Sequence, residues 1–330
     1  MKIVARTLSG LEEILAEEVK QIGGKDVEIF NRAVEYKGDV RLLYKSNLWL
    51  RTAIDVLLPL SKFQANNEEE LYQKVQKINW SNYITSEKTF SINPIVHSSI
   101  FTHSHYASLK VKDAIVDQLR EKKGRRPNID TENPDVKIML RISENKCSLL
   151  LNSSGESLFK RGYRTYGGVA PINEVLAAGI IGISEWDAQT PFVDPMCGSG
   201  TFAIEAAMKA KNIAPGYIRD EFGFMNWLDY REDIWEGLKY EAQFEIKESK
   251  TPIYAFDKSR QTIRTAEMNA NSIEELSGAI QFEMKDFFKN EKPTEEGVII
   301  TNPPYEVRLK TNNIEQFYEL IGNNLKHKWT

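Results

Sequence analysis

Apolar residues recur at helical spacing in the first half of the chain. The stretch "LEEILAEEVKQIG" has them at positions 11, 14, 15 and 19, and Gly23-Gly24 follows where that helix is expected to end. Two further amphipathic helices are predicted in "EEELYQKVQKINW" and "YASLKVKDAIVDQLREKKG". A strand is predicted in "TFSINPIV", and two strands joined by a turn in "DVKIMLRISENKCSLLLNSSG". Residues 1–158 are therefore expected to form an α+β domain.

The second half of the chain alternates strands with helices. After a helix in "PINEVLAAGIIGIS", the alternation is carried by "TPFVDPMCGSGTFAIEAAMKA", "PIYAFDKSRQTIRTAEMNAN", "IQFEMKDFF" and "GVIITNPPY". Strands connected through helices form parallel sheets, so residues 159–330 are expected to form an α/β domain. The stretch "LFKRGYRTYGGVAP", rich in Gly and Arg, is the expected seam between the two domains.

Composition narrows the class of protein. The chain is 41% hydrophobic and 27% charged, and no apolar run approaches the ~18 residues that a membrane span needs. The N-terminal residues have no signal-peptide core, and Cys147 and Cys197 are too few for a disulfide framework. These features predict a cytoplasmic protein with reduced thiols and no membrane partner.

The charge is distributed unevenly. Residues 1–168 carry 26 Lys and Arg against 21 Asp and Glu, whereas the remainder carries 17 against 26. A basic front half fits contact with a polyanion. The competing interpretation is a chance difference between two surfaces.

Each of the four strands predicted in the second half ends in a polar residue: Asp194, Asp257, Asp286 and Asn302. The carboxyl ends of parallel strands meet at one edge of a sheet, where α/β proteins bind ligands. An acid after the second strand is in the position from which doubly wound sheets contact ribose hydroxyls. The four ends together predict a site for a nucleoside-like cofactor, with Asn302 facing the substrate.

The turn after the first of these strands is rich in glycine. Gly198 and Gly200 allow close approach of a ligand to the backbone, and the following helix offers free amides. No Gly-Lys-Ser/Thr follows, which disfavours nucleoside triphosphates. The dinucleotide pattern G-x-G-x-x-G also fails, because Gly200 is followed by Thr-Phe-Ala.

These motifs resemble those of a known enzyme class. The segments Asp194–Gly200 and Asn302–Tyr305 are similar to the cofactor and catalytic motifs of class I S-adenosylmethionine (SAM) methyltransferases. With "IEAAM" and "NIAPG" they resemble the guanine-N2 methyltransferases of large-subunit (23S) rRNA. The resemblance implies a Rossmann-like methyltransferase domain at 159–330, preceded by a ferredoxin-like and THUMP RNA-binding region at 1–158. It also implies SAM as cofactor and rRNA as partner.

The resemblance assigns residues to roles. Asn302 and Pro303 would accept hydrogen bonds from the two hydrogens of the target amine, and Tyr305 would stack on a base taken out of its helix. Asp194 would hold the methionine end of SAM through the loop, Asp257 the ribose, and Asp286 and Phe287 the adenine. The expected catalytic residues are Asn302, Pro303, Pro304 and Tyr305. The expected cofactor residues are Asp194, Pro195, Met196, Cys197, Gly198, Ser199, Gly200, Thr201, Asp257, Lys258, Asp286, Phe287 and Asn302.

Basic residues supply the expected RNA contacts. One group stands at the seam between the domains, where a target strand would enter, and consists of Lys160, Arg161 and Arg164. The other closes a predicted helix and consists of Lys122, Lys123, Arg125 and Arg126, here called the basic cluster. Such residues contact phosphates rather than read bases. The competing interpretation of the basic cluster is a solvated helix end.

Two departures from the family pattern bear on these expectations. The family usually continues the Asn-Pro-Pro-Tyr motif with Gly-Glu-Arg-Leu, but this chain has Glu306-Val307-Arg308-Leu309. A class I methyltransferase sheet has seven strands, whereas four are visible here, so the last strands are expected to be missing from this sequence. The alternative functions are guanine-N2 methylation of tRNA, adenine-N6 methylation of DNA, and non-catalytic RNA binding through the THUMP domain.

Two other residue types suggest chemistry less strongly. Cys197 could be a nucleophile for methylation of pyrimidine ring carbons, but its place inside the cofactor loop favours packing. His103 and His105 have no Cys or carboxylate partner at ligand spacing, so no metal site is expected.

Overall fold

The computed structural model describes residues 1–164, 171–304 and 314–329. The chain divides into two compact units. The first unit contains Met1–Leu158 and Arg219–Lys239, and the second contains Phe159–Ile218 and Tyr240–Thr330. The segment Arg219–Lys239, which lies within the sequence range 159–330, groups with the first unit.

The described residues form strands and α-helices in both units. The strands are β1 Lys2–Arg6, β2 Lys25–Phe30, β3 Ala33–Lys37, β4 Asp55–Gln64, β5 Thr89–His97, β6 Asn128–Ile129, β7 Val136–Ser143, β8 Lys146–Asn152, β9 Phe192–Asp194, β10 Ile253–Asp257, β11 Gln281–Met284 and β12 Val298–Ile299. The helices are α1 Glu12–Gln21, α2 Val40–Trp49, α3 Glu68–Gln76, α4 Ser104–Lys123, α5 Glu174–Ile183, α6 Thr201–Ala210, α7 Glu232–Phe244, α8 Arg260–Asn271 and α9 Ile314–Lys328. None of the helices in these ranges is both long and apolar enough to cross a membrane.

The first unit is built on a mixed sheet with the strand order β2-β3-β1-β4-β8-β7-β5-β6. The predicted hairpin is confirmed, because β7 and β8 pair antiparallel with Ser143 opposite Lys146. Strand β5 contains Pro94, which lies beyond the part of β5 that pairs with β6, namely Thr89 and Phe90. Because the described residues show no pairing with β6 at Pro94, the missing amide hydrogen of this proline breaks no hydrogen bond between β5 and β6.

The amphipathic helices predicted in this unit are also confirmed. Helix α4 buries Val111, Ile115 and Leu119 on one face, as its periodicity predicts. It ends at Gly124, whose φ of 70° is the left-handed conformation that often closes helices.

Aromatic stacking explains why the segment Arg219–Lys239 belongs to the first unit. Phe224 stacks on Tyr44 of α2 with ring centroids 4.1 Å apart, and Phe222 stacks on Phe224. Gly223 passes close to β8, since a Cβ there would lie 2.7 Å from the Asn152 carbonyl oxygen. Only glycine permits this approach.

The second unit is built on a parallel sheet with the strand order β11-β10-β9-β12. Neighbouring residues of β9 point to opposite faces: Phe192 joins one apolar cluster with Ala255, and Val193 joins another with Phe256. Both faces are therefore covered, as expected of an α/β sheet. The parallel sheet predicted from the alternation of strands and helices is confirmed.

Candidate cofactor and catalytic site

The strand order of the second unit brings the predicted strand ends together. All four strands are parallel, so their carboxyl ends lie at one edge. Strand β9 lies between β10 and β12, and the chain changes direction across the sheet at this point. Ligands of open α/β sheets bind at such a switch point. Asp194 ends β9, Asp257 ends β10, and Asn302 follows β12.

Asp194 is buried at the beginning of the glycine-rich loop. Its side chain is 1% exposed, and one of its carboxylate oxygens accepts a hydrogen bond from the Met196 amide at 3.3 Å. Burial raises the pKa of Asp194 to about 7, and the nearby charge of Asp257 acts in the same direction. The carboxyl group thus fixes the backbone of the loop and holds its proton more tightly than an exposed aspartate does.

The glycines of the loop have the conformations that close ligand approach requires. Gly198 has φ +54°, and a Cβ at this position would meet nothing within 4 Å. Gly200 has φ +86°, and a Cβ there would lie 3.0 Å from the Cβ of Ala266. Gly200 is also the N-cap of α6 and supplies no side-chain bond to it. The backbone at Gly198 therefore faces open space beside a helix N-terminus, which favours an anionic or polar ligand group.

Asp257 connects the loop with β10. Its Oδ2 accepts a hydrogen bond from the Gly198 amide at 3.3 Å, and its Oδ1 accepts one from the Ser259 amide at 2.8 Å. Lys258, which follows, is exposed. The structure thus brings two predicted cofactor residues, Gly198 and Asp257, into direct contact.

Cys197 lies in the core of the second unit. Its side chain is 7% exposed, and burial raises the pKa of its thiol well above the ordinary value. A thiol that resists ionisation is a poor nucleophile. This placement agrees with the packing interpretation of Cys197.

Asp286 and Phe287 follow β11. Asp286 accepts a hydrogen bond from the Phe288 amide at 3.1 Å, which shapes the turn. Phe287 is 5% exposed and packs with Phe256 and Trp329. Only a small part of its ring is therefore available to a ligand.

Asn302, Pro303 and Pro304 are half-buried after β12. The strand ends at Ile299, three residues before the predicted end at Asn302, although the Ile300 amide still donates to the Val193 carbonyl at 3.1 Å. Tyr305 lies outside the described residues.

Two of the predicted RNA-binding arginines are held inside the second unit. Arg161 is 2% exposed, and its Nε lies 3.4 Å from Glu205 Oε1 in an ion pair whose side chains are both 1% exposed. A side chain buried in this way presents nothing to RNA, so the structure contradicts the RNA contact predicted for Arg161. Arg164 donates to the Thr201 hydroxyl at 2.9 Å and pairs with Glu174 at 3.1 Å.

The remaining basic residues are exposed. The basic cluster at the end of α4 is exposed at all four positions, and Lys160 is exposed as well. Within the cluster, Lys122 donates to Asn79 Oδ1 at 2.8 Å. In the described ranges, no group of three or more His, Cys, Asp and Glu side chains could hold a metal ion.

Asn269 is a loop contact that sequence analysis missed. Its side chain on α8 is 1% exposed, and its Nδ2 donates to the Ser199 carbonyl of the loop at 3.2 Å. The sequence offered one signal for this contact: the helical period places the polar Asn269 on the buried face of α8. Its partner in the loop could be identified only from the structure.

Family models match almost the whole chain. A model described as the RMKL-like methyltransferase domain matches residues 161–330. A THUMP domain model matches residues 65–152, and a model of the RlmL ferredoxin-like domain matches residues 2–57. The three matches follow the order in which the sequence predicted a ferredoxin-like and THUMP region before a methyltransferase domain.

Individual relatives agree with these matches. A Synechocystis sp. protein named "Putative RNA methyltransferase slr0064" is 38% identical over 99% of this chain and 86% of its own length. A crystal structure described as "SMU.472, a putative methyltransferase complexed with SAH" is 32% identical, with a TM-score of 0.87 over 98% of this chain and 86% of that one. A Listeria monocytogenes protein described as a predicted N6-adenine-specific DNA methylase is also 32% identical, with a TM-score of 0.88 over 99% and 86%. The chain therefore belongs to the RMKL-like methyltransferase family, in the form that carries a ferredoxin-like and a THUMP domain before the methyltransferase domain.

Proposed function

We propose that this protein is a SAM-dependent methyltransferase that modifies the exocyclic N2 amine of a guanine in 23S rRNA. The observation that carries the proposal is the parallel sheet, which places the Asp194–Gly200 loop and the Asn302–Pro304 segment after two neighbouring strands. A methyl donor at the loop and an amine at Asn302 would then meet at the same edge of the sheet.

The residues of the loop fit the proposed cofactor. The open space at Gly198 leaves room for the methionine end beside the α6 N-terminus, whose amides suit its carboxylate. The Asp257 carboxylate, already bonded to the loop, would accept hydrogen bonds from the ribose hydroxyls. Asp286 would accept a hydrogen bond from the adenine amine. The SAH complex of SMU.472 supports this cofactor for a relative with the same fold.

The catalytic segment would act on the amine. When bound, SAM supplies an electrophilic methyl group, whose bond to sulfur breaks as a bond to the amine nitrogen forms, leaving SAH. The amine of guanine is a weak nucleophile because its lone pair is delocalised into the base. The Asn302 side-chain oxygen and the Pro303 carbonyl would accept hydrogen bonds from the two hydrogens of this amine. These bonds would orient the lone pair and stabilise the developing positive charge. After the transfer, the methylated amine loses one proton to solvent. Pro304 restricts the backbone of the segment.

The front of the chain supports RNA as the substrate. It matches the THUMP model, and the Synechocystis relative is named as an RNA methyltransferase. The exposed basic cluster at the end of α4 is suited to phosphate contacts. The match to the RlmL ferredoxin-like model favours large-subunit rRNA over tRNA.

Methyl transfer can be tested directly. The protein is incubated with methyl-tritiated SAM and unmodified 23S rRNA, unmodified tRNA or single-stranded DNA, and the nucleosides are then analysed. We expect label in N2-methylguanosine from rRNA, and its loss in Asn302→Ala. If label appears in N2-methylguanosine from tRNA and not from rRNA, the substrate is tRNA and the proposed rRNA substrate is wrong. Absence of SAM binding would instead favour a non-catalytic RNA-binding protein.

Adenine-N6 methylation of DNA is the second candidate. The Asn-Pro-Pro-Tyr motif suits this amine equally well, and the Listeria relative is described as an enzyme of this kind. The same assay separates the two functions, because this candidate predicts N6-methyladenine in DNA and no label in rRNA.

A further inference from the structure

Arg164 connects the beginnings of two helices in the second unit. Its Nη2 donates to the Thr201 hydroxyl at 2.9 Å and to the Ile172 carbonyl at 3.1 Å, while its Nη1 pairs with Glu174 Oε1 at 3.1 Å. Glu174 is the first residue of α5, and Thr201 is the first residue of α6. Both are almost fully buried, at 2% and 3% exposure, so these contacts lie inside the fold.

Thr201 directly follows the glycine-rich loop. Gly200 caps α6 without a side-chain bond, so Thr201 is the first side chain through which another element can hold this end of the helix. A cation beside a helix N-terminus is unfavourable by itself, because it faces the positive end of the helix dipole. The Glu174 carboxylate offsets this charge, which leaves the guanidinium able to orient the Thr201 hydroxyl.

We propose that Arg164 is a positioning residue for the cofactor: it holds Thr201, and through it the first turn of α6, in the geometry that binds the methionine end of SAM. This inference rests on the proposed function. Arginine suits the role because its planar fork donates to several acceptors at fixed angles, whereas a lysine ammonium is a point charge. The neighbouring Arg161 pairs with Glu205, one turn further along α6, and provides a more deeply buried arginine for comparison.

The test measures SAM binding by calorimetry and folding stability by urea denaturation on the full chain. We expect Arg164→Lys to weaken SAM binding about tenfold, and Arg161→Lys to lower stability with a clearly smaller loss of affinity. In turnover, Arg164→Lys is expected to raise KM for SAM while KM for RNA stays unchanged. The exposed Arg264 of α8 serves as a surface control, and Arg264→Lys should change neither affinity nor stability.

Variants of Thr201 test whether Arg164 acts through it. Thr201→Ser keeps the hydroxyl and should bind SAM more tightly than Thr201→Val, which should bind as weakly as Arg164→Lys. Combining Thr201→Val with Arg164→Lys should add no further loss, because both changes remove the same contact. The proposal would be overturned if the losses of SAM affinity in the two single variants added up in the double variant. It would also be overturned if SAM affinity fell in proportion to stability to the same degree in the Arg161 and Arg164 variants. If the wild type binds no SAM, the proposed function fails; if it binds SAM and Arg164→Lys binds equally well, only this inference fails.

Discussion

The substitution Gly200→Ala tests whether the glycine-rich loop depends on its backbone conformation. Gly200 has φ +86°, a region that an L-residue with a Cβ enters at a cost of about 1–2 kcal/mol. The new Cβ would also lie 3.0 Å from the Cβ of Ala266 and 3.5 Å from Cε1 of Phe282. The first distance is below the optimum of about 3.5–4.0 Å for two carbons, so α8 or the loop must move.

A glycine elsewhere in the second unit separates these two costs. Gly278 has φ +72°, and a Cβ there would meet nothing within 4 Å. Gly278→Ala therefore incurs the backbone cost alone, about 1–2 kcal/mol of unfolding free energy. Gly200→Ala adds a packing cost of about 1–3 kcal/mol, so we expect a total of roughly 2–5 kcal/mol.

The assay combines urea denaturation with SAM calorimetry on both variants. A shift of the loop by a few tenths of an ångström should weaken SAM binding by about tenfold or more in Gly200→Ala, since binding and positioning are sensitive to misplacement on this scale. Gly278→Ala should retain wild-type affinity. Wild-type affinity in Gly200→Ala, or equal stability of the two variants, would refute the argument that this glycine is needed for close packing beside the proposed cofactor site.

Three further predictions concern charge. Arg161→Met leaves the buried carboxylate of Glu205 without its ion-pair partner, and urea denaturation should show a loss of about 3–5 kcal/mol, which Glu205→Leu in the same chain should largely restore. Burial raises the pKa of Asp194 from 3.8 to about 7, so the folded state keeps a proton that the unfolded chain loses, and stability falls as pH rises through this interval. The advantage of Asp194→Asn over the wild type should therefore grow between about pH 5 and pH 7; an advantage independent of pH would contradict this. Replacing the basic cluster by alanines should reduce the slope of log K for RNA against log salt concentration by roughly 3, measured by fluorescence anisotropy, whereas an unchanged slope would place the phosphate contacts elsewhere.

The parallel sheet could be predicted because its information is local. Apolar runs such as "PFV" and "IYAF" alternate with helical patterns, and this alternation is enough to indicate parallel strands. The closeness of Asp194, Asp257 and Asn302 then follows from the rule that such strands end at one edge. The contact between Gly198 and Asp257 agrees with that rule.

The role of Arg161 could not be predicted, because its partner is distant in sequence. An arginine in a Gly- and Arg-rich stretch resembles a solvated linker residue, and nothing adjacent marks it as buried. Its burial depends on Glu205, which lies 44 positions further along the chain. The same limit applies to Phe224, whose partner Tyr44 lies in α2.

The segment Arg219–Lys239 affects how the protein can be divided. Because it belongs to the first unit but is joined at both ends to stretches of the second, the two units share three covalent connections along the chain. A protease cut between Leu158 and Phe159 would give two fragments that stay associated without a covalent bond. The segment would belong to the C-terminal fragment but remain packed on α2 of the N-terminal fragment through Phe224 and Tyr44. A fragment ending at Leu158 would lose that aromatic partner and expose the Tyr44 ring. The chain should therefore be dissected by transplanting the segment along with the first unit rather than by truncation at a single point.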